Sequence, residues 1–190
     1  MACAGLLSMP TKQAKTAFVL AGGGSLGAMQ VGMLAEILEA GEYPDFIVGV
    51  SAGAINGAFL THSISAGMLH KMATLWSQTS TREILGLSWH SLLGLIGLRE
   101  HIANPKGLRA LLRRELPYEL LEHATTPLHV VCAELVTGAE VIISSGNVLD
   151  AVLASAAIPG VFPAVSPEPA NPRALGSATV ASDVVSSRGL

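Results

Sequence analysis

The chain has 190 residues, a length that suits one domain with a core of ordinary size. Half of the residues are apolar and 13% are charged, which excludes a disordered polypeptide, and a net charge of −3 gives no ground for a nucleic-acid partner. The two cysteines, Cys3 and Cys132, make neither a disulfide framework nor a metal-ligand spacing, so a reducing, cytoplasmic compartment is the simpler expectation.

Residues 1–15 have no charge ahead of a short apolar run, which makes a poor secretory signal, and they are expected to form a loose leader. Residues 16–21, TAFVLA, read as a buried strand that ends in GGGSLG, residues 22–27. A helix follows, with Met29, Met33, Leu34, Ile37 and Leu38 at helical spacing. Gly41 and then Tyr43-Pro44 stop it. Residues 45–50 read as a second strand, with Asp45 in the turn that enters it, and a second helix starts at Ala52. Two strand–helix units in succession predict an α/β fold with a parallel sheet.

Residues 67–116 read as mostly helical, and Pro105 suits the first position of a helix carrying Leu108, Leu111 and Leu112. Within this part, residues 84–98 (ILGLSWHSLLGLIGL) have no formal charge. The stretch is shorter than the roughly 18–20 residues a spanning helix needs. It reads as a buried helix, the alternative being a flap that lies on a lipid surface. Residues 128–136 predict a strand, TGAE a turn, and residues 141–144 the returning arm of a hairpin. Asn147 caps a helix over residues 148–157, which Ile158-Pro159-Gly160 ends, and Asp150 reads as a solvated residue of that helix. From Ser166 the composition shifts to Pro, Ala, Ser and Gly without an aromatic residue, and residues 166–190 are expected to be a poorly ordered tail.

Two motifs carry chemistry. Gly22, Gly24 and Gly27 fit G-x-G-x-x-G, a pattern that dinucleotide sites also use. A dinucleotide site needs an acid at the end of the next strand, where this chain has Gly49-Val50-Ser51. A tight turn that lets strand and helix pack closely is a second reading. A third is that glycines at a helix N-terminus present backbone N–H groups to a negative oxygen. Acyl transfer needs such donors for its tetrahedral intermediate.

The second motif is GVSAG, residues 49–53. It sets Ser51 between two glycines, straight after an apolar strand and straight before small helix formers. That is the pattern of a nucleophile held on a sharp strand-to-helix turn. In a parallel sheet both motifs lie at the carboxyl ends of their strands, the edge where open α/β sheets build sites. Asn56 and Gly57, just beyond, read as packing residues.

A serine nucleophile needs a base. None of the six histidines follows the hairpin, and no pair of them has metal-ligand spacing. His129 falls in a strand that reads as buried; a conventional triad through it is kept as an alternative.

Three stretches, LAGGGSLGAMQVGML (20–34), FIVGVSAGAINGAFL (46–60) and AVLASAAIPGVFPAV (151–165), resemble the patatin-like phospholipase family. The resemblance implies a layered α/β fold with a central, mostly parallel sheet flanked by helices, over residues 16–165. It implies a Ser–Asp dyad without histidine that cleaves acyl esters of lipids, with no metal or organic cofactor. By resemblance Ser51 is the nucleophile, and Gly22, Gly23, Gly24 and Gly27 form the oxyanion loop. The chain departs from the family in two places. Leu26 stands where an arginine is often found. The family's Asp-Gly-Gly or Asp-Gly-Ala, which carries the base, is not present; the only aspartate after Pro163 is Asp183, in ASDVV. The domain is therefore expected to be incomplete on its C-terminal side. The expected function is hydrolysis of lipid esters, with a lipid substrate and contact at a membrane periphery. The alternative is a catalytically inactive lipid-binding or regulatory module on the same fold.

Overall fold

The computed structural model describes residues 15–78 and 106–157, together with Val180 and Ala181. In chain order the elements are strand β1 (Ala17–Leu20), helix α1 (Gly27–Glu39), strand β2 (Phe46–Val50), helices α2 (Ala52–Leu60), α3 (Ala66–Gln78) and α4 (Lys106–Glu115), strands β3 (Leu128–Glu134) and β4 (Glu140–Ile143), helix α5 (Val148–Ala156) and strand β5 (Val180–Ala181). The strands form one sheet in the order β1-β2-β3-β4. β1, β2 and β3 are parallel, and β4 returns antiparallel to β3 as the expected hairpin. The fold is α/β with a mostly parallel sheet, as the two strand–helix units predict.

Register places the ends of the first two strands side by side, because Leu20 pairs with Gly49. Val50 in turn pairs with Val131. The core lies between the sheet and its helices: Ile47 and Val130 from the strands, Leu60 from α2 and Val152 from α5 are fully buried. Removing side chains of this size from water contributes roughly 1.5–3 kcal/mol each. Asn147 caps α5 as expected, its side chain accepting from the Asp150 amide at 3.1 Å.

One local reading, that of Asp150, is corrected, and the buried face of α1 is defined. Helix α1 turns Val31, Leu34 and Leu38 inward and leaves Met29, Met33 and Ile37 exposed. Both stripes have helical spacing, so spacing by itself does not choose between them. Asp150 is not simply solvated: it is half-buried and meets Arg109 of α4 at 3.1 Å. Beyond the hairpin, Val180 and Ala181 pair antiparallel with Glu134 and Ala133. Ala133 also pairs with Glu140 of β4, so β5 occupies the other edge of β3. That edge belongs to β2 as far as Val131, and β5 extends the sheet just past the end of β2.

The readings made for residues 1–14, residues 84–98, Pro105, Ile158-Pro159-Gly160 and Asp183 lie outside the described residues. Among the described residues no helix is long and apolar enough to cross a membrane.

Candidate active site

Ser51 sits on the turn between β2 and α2 with φ 51° and ψ −115°. It is the one non-glycine residue with positive φ among the described residues. A conformation of this kind costs on the order of 1–3 kcal/mol and persists only where its surroundings fix it. Here the surroundings are specific. The Ser51 N–H donates to Ser155 Oγ at 2.8 Å, and Ser155 Oγ donates to the Val131 carbonyl at 2.7 Å. The Ser51 carbonyl accepts from the Ile55 N–H at 3.1 Å, the first turn of α2. Ser155, fully buried on α5, thus ties Ser51 to the neighbouring strand.

The two glycines of GVSAG are there for space. A methyl group at Gly53 would fall against the Leu20 carbonyl, and one at Gly49 would lie 2.7 Å from the Ala54 Cα. The start of α2 can press against the ends of β1 and β2 only because neither position has a side chain. This close approach carries Ser51 to the glycine loop.

In the loop, Gly23 (φ 149°) and Gly24 (φ 56°) have backbone conformations that other residues rarely adopt. Residues 21–26 are exposed. A methyl group at Gly22 would lie 3.3 Å from the Ser51 Cβ, so the loop runs directly against the serine. Gly27 has a different place. It is buried at the start of α1, its N–H turns back to the Gly24 and Ser25 carbonyls, and a methyl group there would lie 2.5 Å from the Trp76 ring. The structure therefore brings Gly22 against the serine, with Gly23 and Gly24 following it in the exposed loop, and uses Gly27 to seat the loop on α3.

Sequence reading passed over two residues that the structure ties to this site. One is Ser155. The other is Asn56, read as a packing residue but found at the centre of a hydrogen-bonded network. Asn56 is 1% exposed. Its Nδ2 donates to the Gly27 carbonyl at 2.8 Å and to Gln30 Oε1 at 2.9 Å, and its Oδ1 accepts from Trp76 Nε1 at 2.8 Å. A buried amide without partners is strongly disfavoured, which is the one sequence signal that pointed here: a polar residue among small apolar ones on α2. Gly57 is a packing residue as expected, since a methyl group there would lie 2.9 Å from Leu128.

Among the described residues, the Ser51 hydroxyl has no hydrogen-bond partner. His129 is not one. It pairs with Val48, roughly 10 Å along the strand from Ser51. Its Nδ1 lies 2.7 Å from Ser144 Oγ, and its ring stands edge-on to Phe46 at 5.6 Å. It is half-buried rather than buried. Cys132, on β3, is buried. Burial pushes its thiol from the ordinary 9.0 up to about 12, while its hydrogen bond with Ser155 works weakly the other way.

Two cavities lie near these elements. The apolar seam lined by Ile55, Phe59, Met72, Trp76 and Leu112 holds a cavity of about 30 Å³. A cavity of about 410 Å³ lies at the start of α5, beside Tyr118, Asn147 and Val148. That is roughly 12 Å along the helix from Ser155, and so away from the serine.

Comparison with known proteins gives this geometry a family setting. The family model of patatin-like phospholipases matches residues 18–172. An uncharacterized NTE family protein of Mycobacterium bovis is 29% identical over 153 residues, 77% of this chain and 24% of that protein. The neuropathy target esterase sws of Drosophila melanogaster is 41% identical over 69 residues, 36% of this chain and 5% of that protein. The chain thus spans about a quarter or less of the curated relatives it matches. Among solved structures, VipD from Legionella pneumophila superposes with a TM-score of 0.57 at 15% identity, over 88% of this chain and 45% of VipD. At that identity the likeness concerns the fold.

Proposed function

Because the chain belongs to the patatin-like phospholipase family, we propose that it hydrolyses acyl esters of lipids, with Ser51 as nucleophile. The observation that carries this reading is the turn itself: Ser51 held at φ 51° beside Gly22, with its hydroxyl uncommitted among the described residues. Exposed amides of Gly23 and Gly24 supply the positive end of dipoles where charge develops on the substrate oxygen. Gly27 supports them from below.

The chemistry follows the acyl-enzyme route. Ser51 Oγ bonds to the acyl carbon, the carbonyl electron pair moves onto oxygen, and the hydroxyl proton passes to a carboxylate base. The C–O bond of the ester then breaks, and the base returns the proton to the leaving alcohol. Water repeats the cycle on the acyl-enzyme and frees the acid. Asp183 is the aspartate available to this chain after Pro163 and so the first base to test. Leu26 and Met29, beside the loop and 59% and 65% exposed, give the site an apolar rim suited to a lipid surface. On this reading the protein works in the cytoplasm and meets its substrate at a membrane periphery.

A second reading keeps the fold and drops the turnover: a lipid-binding or regulatory module. The lack of any Asp-Gly dipeptide in the chain favours it. Labelling with a fluorophosphonate separates the two. Labelling that disappears in Ser51→Ala supports the hydrolase, and its further loss in Asp183→Asn assigns the base. A folded chain that takes no label sinks the hydrolase reading and leaves the module.

A further inference from the structure

We infer that Asn56 and Gln30 are positioning residues that hold the glycine loop in place over Ser51. The inference rests on the reading of Ser51 and the loop as one site. It concerns what sets their distance, and it comes from a network that runs through three helices.

The network starts on α3, where Trp76 Nε1 donates to Asn56 Oδ1. Asn56 belongs to α2, five residues beyond Ser51 and on the same helix that Ser51 opens. Both of its N–H donors are spent on α1: one on the Gly27 carbonyl, the other on Gln30 Oε1. Gln30 Nε2 then donates to the Ala21 carbonyl at 2.6 Å. Ala21 is the residue immediately before the glycine-rich loop 22–27, and Gly27 is the residue at its end. The two bonds that leave Asn56 therefore end at the two feet of the glycine loop.

A packing role alone does not require this arrangement. Trp76 would close the seam between α2 and α3 against any apolar residue of similar size. An amide carboxamide is needed only where two donors and an acceptor must be matched in one plane, and here all three are matched. Because Asn56 lies on the helix that Ser51 opens, fixing the loop's feet to Asn56 fixes them relative to Ser51. The tolerance is small, since Gly22 leaves the serine only contact distance. Misplacing an oxyanion donor by about 1 Å can slow a reaction on the order of 100-fold.

The test uses the full chain with Gln30→Met, Asn56→Ala and the double variant. Gln30 is half-buried on α1, and methionine keeps its length without its amide. Two readouts are taken: hydrogen exchange of the amides of residues 21–27, and the rate and half-saturation of fluorophosphonate labelling below the melting temperature. We expect faster exchange in the loop for both single variants. Maximal labelling should fall between about 10- and 100-fold with half-saturation unchanged within twofold. The double variant should be no slower than Asn56→Ala, because both residues act through one chain of bonds. Unchanged loop exchange in Gln30→Met overturns the inference, and so does a loss of labelling that lies wholly in half-saturation. If the unmodified chain takes no label, the nucleophile reading fails, and loop exchange still decides whether Asn56 and Gln30 hold the loop.

Discussion

Helices α2 and α4 bury themselves in opposite ways. α2 buries eight of its nine residues, with a glycine or alanine at five of the nine positions. α4 buries Leu108 and Leu112 and turns Arg113 and Arg114 to the surface. A helix with one buried stripe docks by its apolar face and tolerates change on the other. A helix buried all round has no tolerant face, because every added atom meets something. Ser155, which holds the Ser51 N–H, and Asn56, which bonds the Gly27 carbonyl beside the glycine loop, lie on helices of the second kind: Ser155 on α5, which also buries eight of its nine residues, and Asn56 on α2. The site is built where the chain is least free to move.

That contrast can be broken most sharply at Gly53. Gly53→Ala puts a methyl group against the Leu20 carbonyl, a backbone atom with no rotamer to escape into. The expected loss is about 3 kcal/mol or more, read from the denaturant midpoint. A loss below about 1 kcal/mol would show that α2 is looser than its burial implies.

Ser155→Ala comes next. It strips the Ser51 N–H of its acceptor and the Val131 carbonyl of its donor. Leaving buried partners unsatisfied costs about 1–3 kcal/mol. Ser51, released from its fixed conformation, should label more slowly with a fluorophosphonate. Equal labelling in a destabilised variant would mean that the strained backbone is held by the glycines alone.

A third test sharpens the comparison through pH. In the folded chain Cys132 keeps its proton to about 12, against an ordinary 9.0. Above pH 9 the unfolded chain releases that proton while the folded chain retains it, so the unfolded state binds fewer protons. Stability therefore falls as pH rises from 9 towards 12, and none of this contribution is lost below 9. Denaturant midpoints of Cys132→Ala across this range should slope less steeply than those of the parent chain; equal slopes would place the alkaline loss elsewhere.

The smallest effect belongs to the α4 side. Asp150→Asn removes the contact with Arg109, whose side chains are 27% and 42% exposed respectively. Screening by solvent keeps such a pair at or below about 1 kcal/mol, and 1 M salt should erase most of the difference in melting temperature.

The sequence alone was enough for the local devices. Glycines at 22, 24, 49 and 53 mark turns and close approaches, because other residues rarely take those conformations or leave that space. Alternation of apolar runs and helical spacing yields β1-α1-β2-α2, and Asn147 announces the start of α5 through its own side chain. These signals are short-range: each is decided within a few residues. What only the tertiary structure decided depends on partners far off in the chain. Ser51 meets Ser155 across 104 positions, and Asn56 meets Gly27 across 29. His129 turned out to be engaged with Ser144, and α1 to show Met29 and Met33 outward, because the facing element, not the periodicity, chooses which stripe is buried. Spacing can say that a serine stands on a tight turn. It takes the packing of three helices against the sheet to say what holds that turn still.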